Sequence, residues 1–370
     1  MRARENLRLL RDPNFGPFFF GNLVANSGTW FLTLAAGIFV YRRTDSPFLL
    51  GVVGFSQFAG VLLLVPWTGT AADRFDRRRL LLVTQGAASA IAAALTVVVM
   101  TGAATSATVI AFVLAIGLVQ AFTWPALQAI QGHQVRQDRL GSAIALKSLT
   151  HNLARGLGPA TATLVIATAG IEWAFFVNAL AYLALLVGLL VIHPTPSVAP
   201  TLKAPRRTPA SESERSHTLT AALTVAGRPG RLRRQLIGRV SVLICAMVAF
   251  ALAPTLELGL VALAFAGFGF LAASTSTIRE LQLSIEPAHR GRIMALWTAA
   301  FIGARPLAAL VDGAIAGAAS PRMSALVMVL PAVGLVGALV VRDRREAGRE
   351  HPAEAMLDAE PAAPRLTAEW

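Results

Sequence analysis

Ten apolar stretches alternate with polar breaks along the chain, at 16–40, 47–69, 79–101, 106–131, 143–169, 171–192, 237–254, 257–277, 293–318 and 323–341. Each comes close to or exceeds the roughly 20 residues with which an α-helix crosses a hydrocarbon core. No water reaches the backbone inside a bilayer, so runs of this length are expected as helices. The breaks at 42–47, 102–105, 170, 255–256 and 320–322 are short, which sets the helices they join antiparallel. The alternate breaks are longer and basic. The longest opens on His193-Pro194-Thr195-Pro196, stays rich in Pro and Ser, and ends on Arg231-Leu232-Arg233-Arg234, the composition of a flexible linker. Beyond Arg345 the chain is rich in Ala, Glu and Pro, which predicts a disordered tail. The pattern therefore predicts an all-α membrane protein: a six-helix bundle over 1–193, a linker over 194–235, a four-helix bundle over 236–345 and a tail over 346–370.

Charge gives these helices a direction. Lys and Arg number 33. Three of them (Arg42, Arg43, Arg322) fall in the short breaks, and two (Arg155, Arg305) lie deep inside runs. The rest lie in the long breaks and termini or at the run ends that face them. Basic residues are held back on the cytoplasmic side of a membrane, so both chain ends are expected there. Overall, 55% of residues are hydrophobic and 14% charged, against about 25% charged in a soluble domain. The net charge of +13 raises nucleic acid as a partner. The Arg clusters sit at run ends, however, where anionic lipid headgroups attract them, so membrane lipid is the expected partner and nucleic acid is not. The first run follows four Arg and precedes no small-residue cleavage site, so no cleavable signal is expected. Cys245 is the sole cysteine, and no intrachain disulfide can form. The six His show no metal-ligand spacing and there is no P-loop, so the expectation is no enzyme, no metal and no cofactor.

The two halves echo each other. The stretch from Asp73 to Leu81 before the third run resembles that from Gly227 to Leu236 before the seventh. Leu114-Ala115-Ile116-Gly117 resembles Phe265-Ala266-Gly267-Phe268. Arg139 to Ala143 resembles Arg290 to Met294, and Arg155 with Pro159 resembles Arg305 with Pro306. Four pairs in one order argue for duplication, a signature of secondary transporters.

Several stretches also resemble the major facilitator superfamily, in particular its bacterial enterobactin-exporter-like branch. They are Asn26-Ser27-Gly28-Thr29-Trp30, Thr44-Asp45-Ser46-Pro47, Gly69-Thr70-Ala71-Ala72-Asp73-Arg74, Asn152 to Pro159 and Arg290 to Trp297. The resemblance covers about 10–192 and 228–341. It implies a helical bundle in the bacterial inner membrane with six spans in each half. This chain shows six and then four. The Arg-rich stretch before the seventh run matches what the family places between its eighth and ninth spans. The family's seventh span and most of its eighth are therefore expected to be absent, with 219–225 a remnant too short to cross.

The resemblance assigns Gly69, Asp73, Arg74, Arg77 and Arg78 to a motif that gates the cytoplasmic side; a plain topogenic cluster is the other reading. Asp76 stands where many relatives carry Gly. Arg155 and Arg305 are ionisable groups inside apolar runs. Such groups mark a substrate or ion pathway, or else hold carbonyls freed by the nearby Pro159 and Pro306. Asp312 lies two turns beyond Arg305, as a carboxylate for ion coupling or a residue of the outer interface. Asn26, Gln120 and Trp124 lie on spans that correspond to cavity helices, so they are pathway candidates. Gly158 and Pro159 match a fifth-span motif of antiporters in which the helix bends, and Pro306 is the matching bend in the ninth run. The resemblance implies a secondary transporter, exporting an amphiphilic small molecule, drug- or siderophore-like, by proton antiport. The alternative is a non-transporting membrane protein, or a scaffold completed by an oligomeric partner, because two spans are missing.

Overall fold

A computed structural model describes residues 9–13, 15–131, 140–191, 230–284 and 290–357. Long α-helices follow one another through it: α1 (Gly16–Thr44), α2 (Pro47–Arg74), α3 (Arg77–Met100), α4 (Ser106–Gln131), α5 (Leu140–Thr168), α6 (Ile171–Val191), α7 (Gly230–Leu252), α8 (Leu256–Ser284), α9 (Arg290–Ala318) and α10 (Pro321–Leu357). Among the described residues, nine are long and apolar enough to cross a membrane. The exception is α5, expected from the sequence as a span. Lys147, His151, Asn152 and Arg155 leave only its last three turns apolar, although its 29 residues have ample length.

Two compact units form. The first holds Met1–Arg206 with Ala295–Ser320, and the second holds Arg207–Met294 with Pro321–Trp370. The expected four-helix second bundle is thus not one unit: α9 groups with α1–α6, while α7, α8 and α10 group together. In the first unit α1 packs on α5 and α6, α2 on α4, and α3 on α4 and α6. Leu32, Val40, Leu95, Val109, Ile116 and Leu185 fill its core. In the second, α7 packs on both α8 and α10. Two boundaries also differ from expectation. Gly230 already begins α7, so the last residues of the expected linker are helical. The tail continues α10 as far as Leu357, where Ala, Glu, Arg, Met and Leu favour helix.

Polar groups fix the connections. Asp76 is the N-cap of α3, its carboxylate accepting from the Arg79 amide at 2.8 Å. This gives a local reason for Asp where a Gly is commoner. Gly102 and Gly170 turn the chain with φ of 72° and 109°. The basic residues in the short breaks also find partners. Arg43 donates to the Ala104 carbonyl and lies 4.4 Å above the Phe39 ring. Arg322 donates to the Ala253 carbonyl at 3.3 Å, just past the end of α7.

Candidate functional site

Helices of the first unit surround a cavity with about 1000 Å³ of empty space, including its open side. Its lining is built by close helix crossings. A Cβ on Gly117 of α4 would fall 2.5 Å from the Ser56 carbonyl oxygen and 2.7 Å from that of Gln57 on α2. Across the same crossing, a Cβ on Gly60 would come within 2.7 Å of the Leu118 Cα. Only glycine lets these backbones touch. One turn away from this contact, Gln57 of α2 and Gln120 of α4 turn into the cavity. A second crossing joins α2 to α9, where a Cβ on Gly313 would sit 2.8 Å from the Gly51 Cα. That contact holds α9 in place, and two turns earlier along it Arg305 reaches the cavity wall.

The lining is polar without being acidic. Asn22, Asn26 and Thr29 come from α1, Gln85 from α3 and Tyr182 from α6. The amide of Asn26 donates to the Asn22 backbone and side-chain carbonyls at 2.7 and 3.0 Å. The Gln57 amide donates to the Thr33 hydroxyl at 2.7 Å. The Gln85 amide donates to the Gln120 carbonyl at 3.4 Å, and the buried Tyr182 hydroxyl interacts with Thr29, Asn178 and Gln120. Aromatic surface completes the wall: Trp124 meets the His151 ring edge-on with centroids 6.1 Å apart. No Asp or Glu lines this cavity among the described residues.

Arg305 carries the fixed charge of the lining. Its guanidinium lies 5.5 Å from the Phe58 ring centroid and 5.3 Å from that of Phe301. A cation over an aromatic face gains about 0.5–2 kcal/mol, depending on desolvation. Placing an Arg in a membrane helix costs about 2.5–3.5 kcal/mol on insertion scales. The rings therefore offset part of the cost, and an anion in the cavity would offset more.

The structure gathers Asn26, Gln120, Trp124 and Arg305 in this lining and leaves Arg155 and Asp312 outside it. Both of the latter are exposed, and Arg155 is close enough to Arg305 for their like charges to interact. Asp312, read from the sequence as a carboxylate for ion coupling or a residue of the outer interface, is not part of the cavity lining. Gly158 is buried against α1, since a Cβ there would fall 2.5 Å from Trp30 Cδ1. Pro159 lies inside α5 and Pro306 inside α9, each removing one backbone donor from a continuing helix. Gly69, Asp73 and Arg74 lie at the C-terminal end of α2 and Arg77 begins α3, but their side chains lie outside the described ones. Arg78 is described. It donates to the Leu189 carbonyl at 3.1 and 3.3 Å and to that of Leu190 at 3.2 Å. It therefore holds the C-terminal end of α6, where a cation suits the helix dipole. The remnant expected at 219–225 lies outside the described residues.

Sequence reasoning did not single out Gln85, His151 and Tyr182. Gln85 and Tyr182 stand in mostly apolar stretches, where a residue bonding to a neighbouring helix leaves the same mark, and His151 stands beside Thr150 and Asn152 in the polar first half of α5. His151 had one usable signal, its position one turn before Arg155 on the same helix.

Residues 6–208 match the family described as transmembrane secretion effector. The chain is 27% identical over 177 residues to the staphyloferrin A transporter of Staphylococcus aureus, a match that takes in 48% of this chain and spans about half, 45%, of that relative. It is 24% identical over 372 residues to the enterobactin exporter of Shigella flexneri, covering 86% of this chain and 89% of that protein. Among solved structures, a variant of the nucleoside transporter NupG matches with a TM-score of 0.66 at 12% identity, over 89% of this chain and 99% of that one. A bacterial homolog of the human lysosomal transporter Spinster, inward-facing and unoccupied, matches at 0.62 with 14% identity, over 92% and 98%. These two likenesses carry the fold. The family match runs through all of α1–α6, which supply most of the cavity wall, and it places the chain in the transmembrane secretion effector family of the major facilitator superfamily, whose members are multi-pass bacterial inner-membrane proteins and not enzymes.

Proposed function

We propose that this protein is a secondary transporter that exports an amphiphilic small-molecule anion, siderophore-like in its mixture of acidic, aromatic and hydrogen-bonding groups, in exchange for protons. One observation carries the substrate class: the cavity lining sets the Arg305 guanidinium among aromatic rings and neutral amides, with no carboxylate in the described lining. Such a wall attracts an anion, offers apolar area to its body, and satisfies its polar groups. Efflux and the class of cargo draw support from the relatives, one an exporter of enterobactin and one a transporter of staphyloferrin A. The proton as driving ion draws support from the antiporter-like stretch at Gly156-Leu157-Gly158-Pro159, alongside a sequence with no P-loop to use ATP. In this reading, Asp73 and the Arg cluster gate the cytoplasmic side while the bundles rock about the cavity. The alternative, an inert scaffold, draws no support from the relatives, both of which are transporters.

Proteoliposomes loaded with a fluorescent aromatic carboxylate test this. With the medium acidified on the side that faces the cell exterior, the carboxylate should move toward that side faster than from protein-free vesicles, and Arg305→Gln should abolish the excess. Flux that ignores the pH gradient would overturn proton coupling. Equal flux of a cationic dye of the same size would overturn the anion.

A further inference from the structure

Gln85 lines the cavity and carries an acceptor that no described residue uses. The side chain is 1% exposed and lines the cavity, and its amide nitrogen is spent on Gln120. Its carbonyl oxygen is buried and has no hydrogen-bond partner among the described residues. A buried acceptor left open is unfavourable for folding, because its water is lost and nothing replaces it. It becomes favourable when a ligand brings a donor. Hydrogen-bonding sites of this kind discriminate strongly, because an analogue without the donor leaves the buried acceptor unpaired.

We propose that Gln85 is a specificity-determining residue that accepts a hydrogen bond from a hydroxyl or amide N–H of the substrate. The substrate class is then an aromatic or amphiphilic anion that also carries a hydrogen-bond donor. Arg305 takes the negative group, Phe58 and Trp124 face the body, and the Gln85 carbonyl reads the donor. Of the surrounding polar groups, Asn22 and Asn26 bond each other, and Gln57 donates to Thr33. Those bonds use amide nitrogens; among the described lining amides, Gln85 is the one whose carbonyl oxygen is buried without a partner. This inference rests on the anion reading above and adds a second requirement to it.

Three related fluorescent probes separate the two requirements. 6-Hydroxy-2-naphthoate has both groups, 6-methoxy-2-naphthoate has only the anion, and 6-hydroxy-2-naphthamide has no charge. Binding is measured on the purified full chain in detergent. The wild type should hold the hydroxy acid about five- to tenfold more tightly than the methoxy acid, the size of one buried hydrogen bond. Gln85→Met keeps the side-chain volume and removes the acceptor. It should bring that ratio to about one while keeping the preference for naphthoate over naphthamide. Arg305→Gln should do the reverse. Apo Gln85→Met should unfold on heating close to the wild type, since it removes an unpaired buried carbonyl and also the bond to Gln120. An unchanged hydroxy-to-methoxy ratio in Gln85→Met, or none in the wild type, overturns the inference and leaves the anion reading standing. No preference for naphthoate over naphthamide in the wild type overturns the anion reading, and the inference with it.

Discussion

Arg305 shows how one residue type in a given neighbourhood sets a preference. Its guanidinium stacks on Phe58 and Phe301, and a flat delocalised cation suits two ring faces better than a compact ammonium does. Arg305→Lys keeps the charge and loses the stacking. Affinity for an aromatic carboxylate should fall severalfold in that variant, and by tenfold or more in Arg305→Gln, since a hydrogen bond to a charged group is worth about 1.5–3 kcal/mol. Equilibrium titration of the two variants against the wild type checks the order, and equal losses would mean that charge alone matters. At this scale the sequence is legible where a residue stands out against its surroundings. A charge inside an apolar run is costly, so Arg305 is conspicuous in the sequence alone. Arg155 is equally conspicuous, yet it lies outside the cavity lining, and spacing does not separate the two. Gln85 cannot be found this way, because one neutral amide in an apolar run is equally the mark of an interhelical hydrogen bond.

At the scale of the helix, glycine places the cavity wall. Gly117 and Gly60 let α2 and α4 touch, and Gln57 and Gln120 lie one turn from the contact. Gly117→Ala puts a Cβ against two backbone carbonyls that cannot rotate aside. It should destabilise the protein by roughly 1–3 kcal/mol and weaken binding of the same carboxylate. Gly86→Ala on α3 is the control: a Cβ there meets nothing within 4 Å, so it should be neutral or stabilising by about 0.5–1 kcal/mol. Thermal unfolding in detergent compares them, and similar melting points for both variants would remove the crossing from the account. The helices themselves are readable, since an apolar run of membrane length has no other way to bond its backbone. The case of α5 shows the limit. Its boundaries follow from the turn at Gly170 and the polar stretch before it, yet its first half is too polar for hydropathy to certify it as a span.

For the whole chain, the order of helices along the sequence is not their order in packing. Between α6 and α9 come α7 and α8 of the other unit, and α9 then returns to the first unit against α2. Apolar periodicity says that a helix has a face to bury and not which neighbour buries it, so this return is not legible in periodicity alone. The basic residues are informative because they orient helices without reference to partners, and the few on the wrong side, such as Arg43 and Arg322, are tied to loop carbonyls. The return of α9 has a direct geometric consequence. A Cβ on Gly317 would lie 3.5 Å from the Phe48 Cβ, within the span of a disulfide. Phe48→Cys with Gly317→Cys, in a Cys245→Ser background, should therefore crosslink under mild oxidation. With a protease site placed between residues 205 and 212, the two fragments should stay joined after cleavage and separate with reductant. Fragments that part without reductant would show that α9 does not rest on α2 at this end. If transport requires α2 and α9 to slide or part, the crosslink should also stop carboxylate flux and reductant should restore it. Full flux through the locked protein would confine the moving parts to helices other than these two.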